Sequence, residues 1–148
     1  MPVQGTAEFQ SAIAWFVPVI IATALLWLLS LMKEPARRYF MAILVGGAGS
    51  AYLSSGGLGK WDLVFCAAMS FVAYRGLQSY PFLGIGWLMH TGWDILHHLH
   101  GSPVLPFDPT SSLGCAICDP VLAIWCFAGG PSLYQFIRRK RAAAPRPA

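Results

Sequence analysis

The sequence predicts an all-α fold, a polytopic bundle of about five transmembrane helices, from its composition and the distribution of its charges. Hydrophobic residues make up 56% of the 148 residues and charged residues only 11%, against about 25% charged in an average globular protein. Mean hydropathy is +0.56, and the charges lie in short clusters between long uncharged stretches. This composition argues against a soluble enzyme and excludes an intrinsically disordered protein.

The first two spans are predicted near residues 10–32 and 39–57. Residues 9–32 carry no charge, and they are long enough to cross a hydrocarbon core of about 30 Å. The second span is rich in small residues that recur every four positions. Because small residues let helix backbones approach closely in lipid, we expect this span to pack tightly in the bundle, in a homo-oligomer or against another membrane protein. The small residues form two stripes: Gly46, Ser50 and Ser54, and Gly47, Ala51 and Ser55.

Three further spans are predicted near residues 61–79, 81–100 and 111–129. The last contains Pro120, which allows two registers. The helix either begins near Ser111 and is kinked at the proline, or begins at Pro120 with Asp119 as its N-cap. We prefer the first register, because a helix from Asp119 would be too short to cross the membrane.

Residues 1–141 are predicted to form a single domain, which contains the five spans and the segment that follows them. An interfacial helix is expected near residues 131–141, with apolar side chains toward lipid and basic ones among head groups. Residues 142–148 are rich in Ala and Pro and are predicted to form a disordered tail.

The basic residues predict the orientation of the bundle. With five spans, all but Lys60 fall on one side, which the positive-inside rule assigns to the cytoplasm. The N-terminus is therefore expected outside and the C-terminus inside. The expected partner is the lipid bilayer, and no nucleic acid is expected. The residues on the cytoplasmic side are Lys33, Arg37, Arg38, Arg75, Arg138, Arg139, Lys140, Arg141 and Arg146.

All histidines of the chain lie in the stretch HTGWDILHHLH at the end of the fourth span. At about 100° per residue, one arc of this helix carries four ionisable side chains, whereas His100 falls outside it. A carboxylate in lipid is costly unless it has a partner, so Asp94 indicates a site. The arc carries His90, Asp94, His97 and His98.

Imidazole and carboxylate groups one helical turn apart suit a transition metal such as Zn, Cu or Fe. Metal binding is therefore the leading hypothesis for the histidine-rich arc. A proton relay is one alternative, because histidine titrates near neutral pH. A structural hydrogen-bond network is the other.

A second group of candidate residues lies in the sequence GCAICDP of the fifth span. Cys115 and Cys118 are predicted either as further metal ligands, as a redox pair, or as structural cysteines. Asp119 and Asp62 are candidates for orienting the metal ligands by hydrogen bonds without binding the metal themselves. For Asp62, a role as the cap of the third helix is the alternative.

Three stretches of the chain resemble a family of small bacterial integral membrane proteins of unknown function: VAYRGLQSY, FLGIGWLMHTGWDILHHLHGSPVLPF and SSLGCAICDPVLAIWCFAG. The resemblance covers about residues 45–131 and rests on the motifs H-x3-D-x2-HH and GCAICD. It implies a multi-pass protein of the bacterial plasma membrane, and it brings no established activity.

Three functions remain open from the sequence. Metal binding would make the protein a metalloenzyme or a metal-handling membrane protein. A membrane thiol–disulfide oxidoreductase would use the C-x-x-C pair, although the chain has no second cysteine pair in an outer loop, which quinone-linked disulfide-forming proteins use. A non-catalytic subunit or scaffold would use its polar residues to stabilise contacts between helices.

Overall fold

Helices joined by loops make up the part of the chain that the computed structural model describes, residues 4–54 and 57–143, with the backbone alone described at 4–14, 133 and 140–143. The prediction of an all-α fold is confirmed. A 3-10 turn, Ala51–Leu53, follows the second helix. The helices are α1 (Gln4–Ser30), α2 (Ala36–Ser50), α3 (Lys60–Gly76), α4 (Tyr80–Leu99), α5 (Ser111–Phe127) and α6 (Leu133–Ala143).

The helix ends differ most from the predicted ones at the start of α1, which begins at Gln4 rather than near residue 10, and at the end of α2. This helix ends at Ser50, and the 3-10 turn ends at Leu53, whereas the sequence predicts a helix to residue 57. Helix α5 begins at Ser111 and contains Pro120, so the preferred register is the one observed. The predicted tail, 142–148, lies outside the described residues beyond Ala143.

The transmembrane part of the prediction is not confirmed. Among the residues described in full, no helix combines the length and the apolar character that crossing a lipid bilayer requires. Helices α2, α3 and α5 have 15, 17 and 17 residues, fewer than the roughly 20 expected of a span. Helix α4 has 20 residues but carries the histidines and an aspartate.

Helix α4 lies at the centre of the bundle. It packs against α5 on one side and against α3 and α2 on the other, while α1 packs on α5. Its buried residues recur every three or four positions, as expected for one face of a helix. This buried stripe is apolar in its first half and ionisable in its second, and it comprises Leu83, Trp87, His90, Asp94 and His97.

The small residues of α2 pack against α3 on one side only. A Cβ atom at Gly46 would lie 3.6 Å from the Cβ of Ala73, and one at Gly49 would collide with the side chain of Met69. Glycine is therefore required at 49 for the two helices to approach. Gly47, from the second predicted stripe, has open space around its Cβ position.

Large apolar side chains cover the outside of the bundle from α1 to α5. One example from each helix is Ile20, Ile43, Leu63, Leu88 and Ile124, which are between 49% and 70% exposed. The interior, by contrast, contains ionisable residues that are at most 3% exposed. Proteins in water usually show the opposite distribution.

Candidate metal centre

Helices α4 and α5 bring three ligand-type side chains together inside the bundle. His90 and Asp94 lie one turn apart on the buried stripe of α4, and Nδ1 of His90 is 2.9 Å from Oδ2 of Asp94. Asp119 of α5 places its Oδ2 atom 2.7 Å from the same nitrogen. One ligand atom from each residue lies within 4.8 Å of the others, so this trio can hold a metal ion.

The imidazole of His90 is oriented by a backbone carbonyl. Its Nε2 atom lies 3.0 Å from the carbonyl oxygen of Ala48 in the last turn of α2. Because a carbonyl only accepts hydrogen bonds, Nε2 carries a proton and Nδ1 faces the two carboxylates. Histidines that bind metals are commonly held in this way. A cation that replaced a proton on Nδ1 would lie between the carboxylates of Asp94 and Asp119.

The other oxygen of Asp94 is held by Tyr52 and, through it, by Ser112. The Tyr52 hydroxyl lies 2.7 Å from Oδ1 of Asp94 and 2.8 Å from Oγ of Ser112. An ionised carboxylate only accepts, so Tyr52 donates to Asp94 and Ser112 donates to Tyr52. Ser112 also accepts from the backbone N–H of Val104 at 3.1 Å. The connection between α4 and α5 is thereby joined to the site.

Oδ2 of Asp94 is the least satisfied polar atom of the trio. It is buried and has no hydrogen bond of good geometry to any described residue, although Nδ1 of His90 is 2.9 Å away. In the described ion pairs, His90 is the partner of both Asp94 and Asp119. Two carboxylates thus face one imidazole. A buried charge without compensation is costly, so the trio is suited to an additional cation.

His97 and Asp62 form a separate buried pair. Nε2 of His97 lies 3.0 Å from Oδ1 of Asp62, and Nδ1 faces the carbonyl oxygen of Trp93 at 3.1 Å. Asp62 also accepts from Nε1–H of Trp93 at 3.1 Å and from the backbone N–H of Leu58 at 2.9 Å. The carboxylate therefore lies beside His97, whose buried Nε2 atom has no hydrogen bond of good geometry to any described residue, and it also supports the start of α3.

The ring of Tyr52 separates the trio from this second pair. It stacks on His97 with ring centroids 3.6 Å apart, and it is 6.2 Å from the ring of His90. Its hydroxyl group is bonded to Asp94. One tyrosine thus contacts both polar clusters of the bundle.

The sequence of the chain identifies its relatives. The sequence model of DUF6010, a family of unknown function, matches residues 13–132. The chain belongs to this family. The resemblance to a family of unknown function is therefore confirmed, and the match spans every helix that contributes to the trio. No curated protein and no solved structure matches the chain.

The remaining predicted ligands lie outside the trio. His98 is exposed on α4, because the neighbouring helices cover a narrower face of α4 than the arc used in the prediction. His100, just after the end of α4, is exposed as well. Cys115 and Cys118 are free, half-buried thiols. They line a cavity of about 410 Å³ beside α1, together with Val17 and Pro18. Their roles as ligands stay predictions.

Some residues of the candidate metal centre were not predicted from the sequence, and one was predicted in a lesser role. Asp119 was expected only to support the ligands, yet it belongs to the trio itself. Ser112 lies seven residues before Asp119, two helical turns away, so helical spacing offered a signal for it. Tyr52 and the carbonyl of Ala48 come from a distant segment, and nothing in the sequence pattern connects them to α4.

Proposed function

We propose that this protein binds a divalent transition metal ion through His90, Asp94 and Asp119. The observation that carries the proposal is the convergence of three ligand atoms within 4.8 Å on buried residues. The hydrogen bonds from His90 to Ala48 and from Tyr52 to Asp94 support it, since they orient the ligands. One nitrogen and two oxygens suit Zn²⁺ or Fe²⁺, whereas Cu(I) prefers sulfur ligands.

A bound metal ion could serve this protein in two ways, in catalysis or as the ion that the protein handles or senses. Three protein ligands leave coordination positions for water or a substrate, as in catalytic zinc sites. A metalloenzyme is therefore one form, and a protein that handles or senses the metal is the other. In both forms, the bound ion neutralises the carboxylates of Asp94 and Asp119, which in its absence share a single imidazole.

The test is metal analysis of protein purified in detergent, followed by titration of the metal-free protein with Zn²⁺ and Fe²⁺. We expect binding of about one ion per chain. His90→Ala and Asp119→Ala should each weaken binding by at least about 100-fold, because they remove a ligand rather than its support. His98→Ala is the matched control, since it removes an exposed imidazole from the same helix, and it should bind normally.

Two results would contradict metal binding. One is wild-type protein that carries no metal and does not bind added Zn²⁺, Fe²⁺ or copper ions. The other is an equal loss of binding in His98→Ala and His90→Ala, which would mean that the histidines act without the geometry described above.

We also propose that the bundle lies in a bacterial plasma membrane, with its N-terminus outside and its C-terminus inside. The apolar exterior of α1 to α5 and the ionisable interior support this placement, because lipid favours that distribution. The clustering of basic residues where α1, α3 and α5 end supports the orientation. Reporters fused after Arg141 should be active only in a cytoplasmic form. Release of the protein from membranes at alkaline pH would contradict the placement.

A second candidate function is thiol–disulfide exchange. It is favoured by one observation: Cys115 and Cys118 are both free and line the same cavity. The two thiols lie about one turn apart on α5 and would be oxidised to a disulfide by a partner disulfide, which would be reduced to two thiols. The alkylation experiment in the Discussion tests this candidate.

A further inference from the structure

A groove of about 620 Å³ lies where the end of α1 meets the start of α6. Its volume is within the range of about 300–1,000 Å³ that is usual for ligand sites. The two helices are joined by Ser132, whose hydroxyl donates to the carbonyl of Ser30 at 2.8 Å and accepts from the backbone N–H of Gln135 at 3.2 Å. The start of α6 is therefore held in place beside α1.

Three cationic side chains line this groove: Lys33, Arg138 and Arg139. All three are exposed, and none belongs to an ion pair among the described residues. Arg138 lies over the ring of Tyr134, with its guanidinium carbon 5.9 Å from the ring centroid. Because the tyrosine ring is uncharged, this contact does not neutralise the positive charge of Arg138.

The acidic residue that lines the groove does not neutralise these cations. Oε1 of Glu34 is 2.7 Å from Nη2 of Arg37 and accepts a hydrogen bond from the hydroxyl of Tyr80 at 2.6 Å. Arg37 is itself buried, so its charge and that of Glu34 compensate each other. The groove therefore presents an excess of positive charge to whatever enters it.

The wall of the groove is partly apolar and continues into the apolar exterior of the bundle. Leu31, which is 53% exposed, and Met32 line it just after the end of α1, and Leu28, in the last turn of α1, is 56% exposed. A cationic groove with an apolar edge matches a ligand that has an anionic head and a hydrocarbon tail.

We propose that this groove binds the phosphate-bearing head group of an anionic phospholipid, with the acyl chains along the exposed face of α1. Basic pockets between helices on the cytoplasmic side of a membrane recognise such head groups by charge. The apolar edge distinguishes a phospholipid from free phosphate, which would gain nothing from it. This inference rests on the proposed membrane placement and is independent of metal binding.

The test uses full-length protein in an uncharged detergent, titrated with short-chain phosphatidylglycerol and, separately, with short-chain phosphatidylcholine. We expect the anionic lipid to bind at least about 10-fold more tightly. Arg138→Gln, Arg139→Gln and Lys33→Gln should each weaken its binding by about fivefold, the usual effect of one basic residue at a membrane surface. Lys60→Gln is the matched control, because it removes an exposed cation at the start of α3, and it should bind normally.

Three results would overturn the inference. The first is equal affinity for the two lipids. The second is an equal loss in Lys60→Gln and the groove variants, which would reveal a general effect of net charge. The third is inorganic phosphate that binds as tightly as phosphatidylglycerol, which would make the groove a site for free phosphate.

Metal content measured in the same preparations tests lipid binding by the groove separately from metal binding by the trio. The groove variants should keep the unfolding temperature of the wild type, which shows that they fold, and its metal content, and His90→Ala should keep its preference for phosphatidylglycerol. Wild-type protein that is released from membranes at alkaline pH would instead contradict the membrane placement on which the inference rests.

Discussion

The first half of the buried stripe of α4 is apolar and the second half is ionisable, yet the two halves are equally inaccessible. Leu83 is 0% exposed and packs in the apolar core, and Asp94, also 0% exposed, lies in the trio. Hydrophobic burial is non-directional, so Leu83 needs only neighbours of the right volume. Asp94 needs particular atoms at particular distances, which Tyr52 and His90 supply.

Depth of burial therefore does not distinguish the core from the site, whereas dependence on particular partner atoms does. A change in the apolar half should cost stability alone. A change in the ionisable half should alter stability and ligand binding together, and its cost should depend on which partners remain.

The largest effect is expected from His90→Ala, which leaves the carboxylates of Asp94 and Asp119 buried without their imidazole. Breaking a buried ionic cluster costs about 3–5 kcal/mol, so the unfolding temperature in detergent should fall strongly. The double variant His90→Ala/Asp94→Asn should be more stable than His90→Ala, because it also removes one of the orphaned charges. Asp94→Asn alone should lose metal binding with a smaller loss of stability.

A double variant less stable than His90→Ala would contradict the electrostatic explanation. It would indicate that the trio contributes packing rather than charge compensation, and that the two halves of the stripe are energetically alike.

In the apolar half, Leu83→Ala should destabilise the protein by about 2–5 kcal/mol through loss of burial and creation of a cavity. The loss should be the same before and after metal is removed with a chelator. Leu88→Ala, at a position 49% exposed on the same helix, serves as the control and should change stability little. A chelator-dependent effect of Leu83→Ala would show that the two halves are coupled.

A smaller effect is expected from Tyr52→Phe, which keeps the ring on His97 but removes the hydrogen bond to Asp94. Metal affinity should fall by about 10-fold, as is typical when support for a ligand is lost, and stability by about 1–2 kcal/mol. Tyr74→Phe, at a position 68% exposed, is the matched control. Unchanged affinity in Tyr52→Phe would contradict the role of this hydrogen bond in orienting Asp94 as a ligand.

The smallest effect concerns the thiols and is measured by alkylation with mass spectrometry. Cys115 and Cys118 should react equally before and after chelation, because they face the cavity beside α1 rather than the trio. Cys126 is 0% exposed and should not react. Protection that chelation relieves would make the thiols metal ligands after all.

The same assay decides the second candidate function. Prior treatment with a small-molecule disulfide should protect Cys115 and Cys118 from alkylation, and a reductant should restore their reaction. If the disulfide gives no protection, thiol–disulfide exchange by this pair is excluded.

Prediction from sequence worked best where residues share one helix. His90 and Asp94 are one turn apart, and helical rotation alone predicts that they lie side by side. Helical rotation also places His98 near this face, yet His98 is exposed. The rotation angle gives the direction of a side chain around the helix axis, but it does not give the width of the face that neighbouring helices cover. The same reasoning also grouped His97 with His90, although His97 pairs with Asp62.

Composition and periodicity by themselves determined that this chain is helical, the approximate positions of its helices, and that His90 and Asp94 share one face of α4. The tertiary structure decided that Asp119 meets His90, that Asp62 lies beside His97, and that Tyr52 lies between the two groups. The physical reason is that contacts within a helix follow from sequence spacing, whereas contacts between helices depend on how the whole bundle packs.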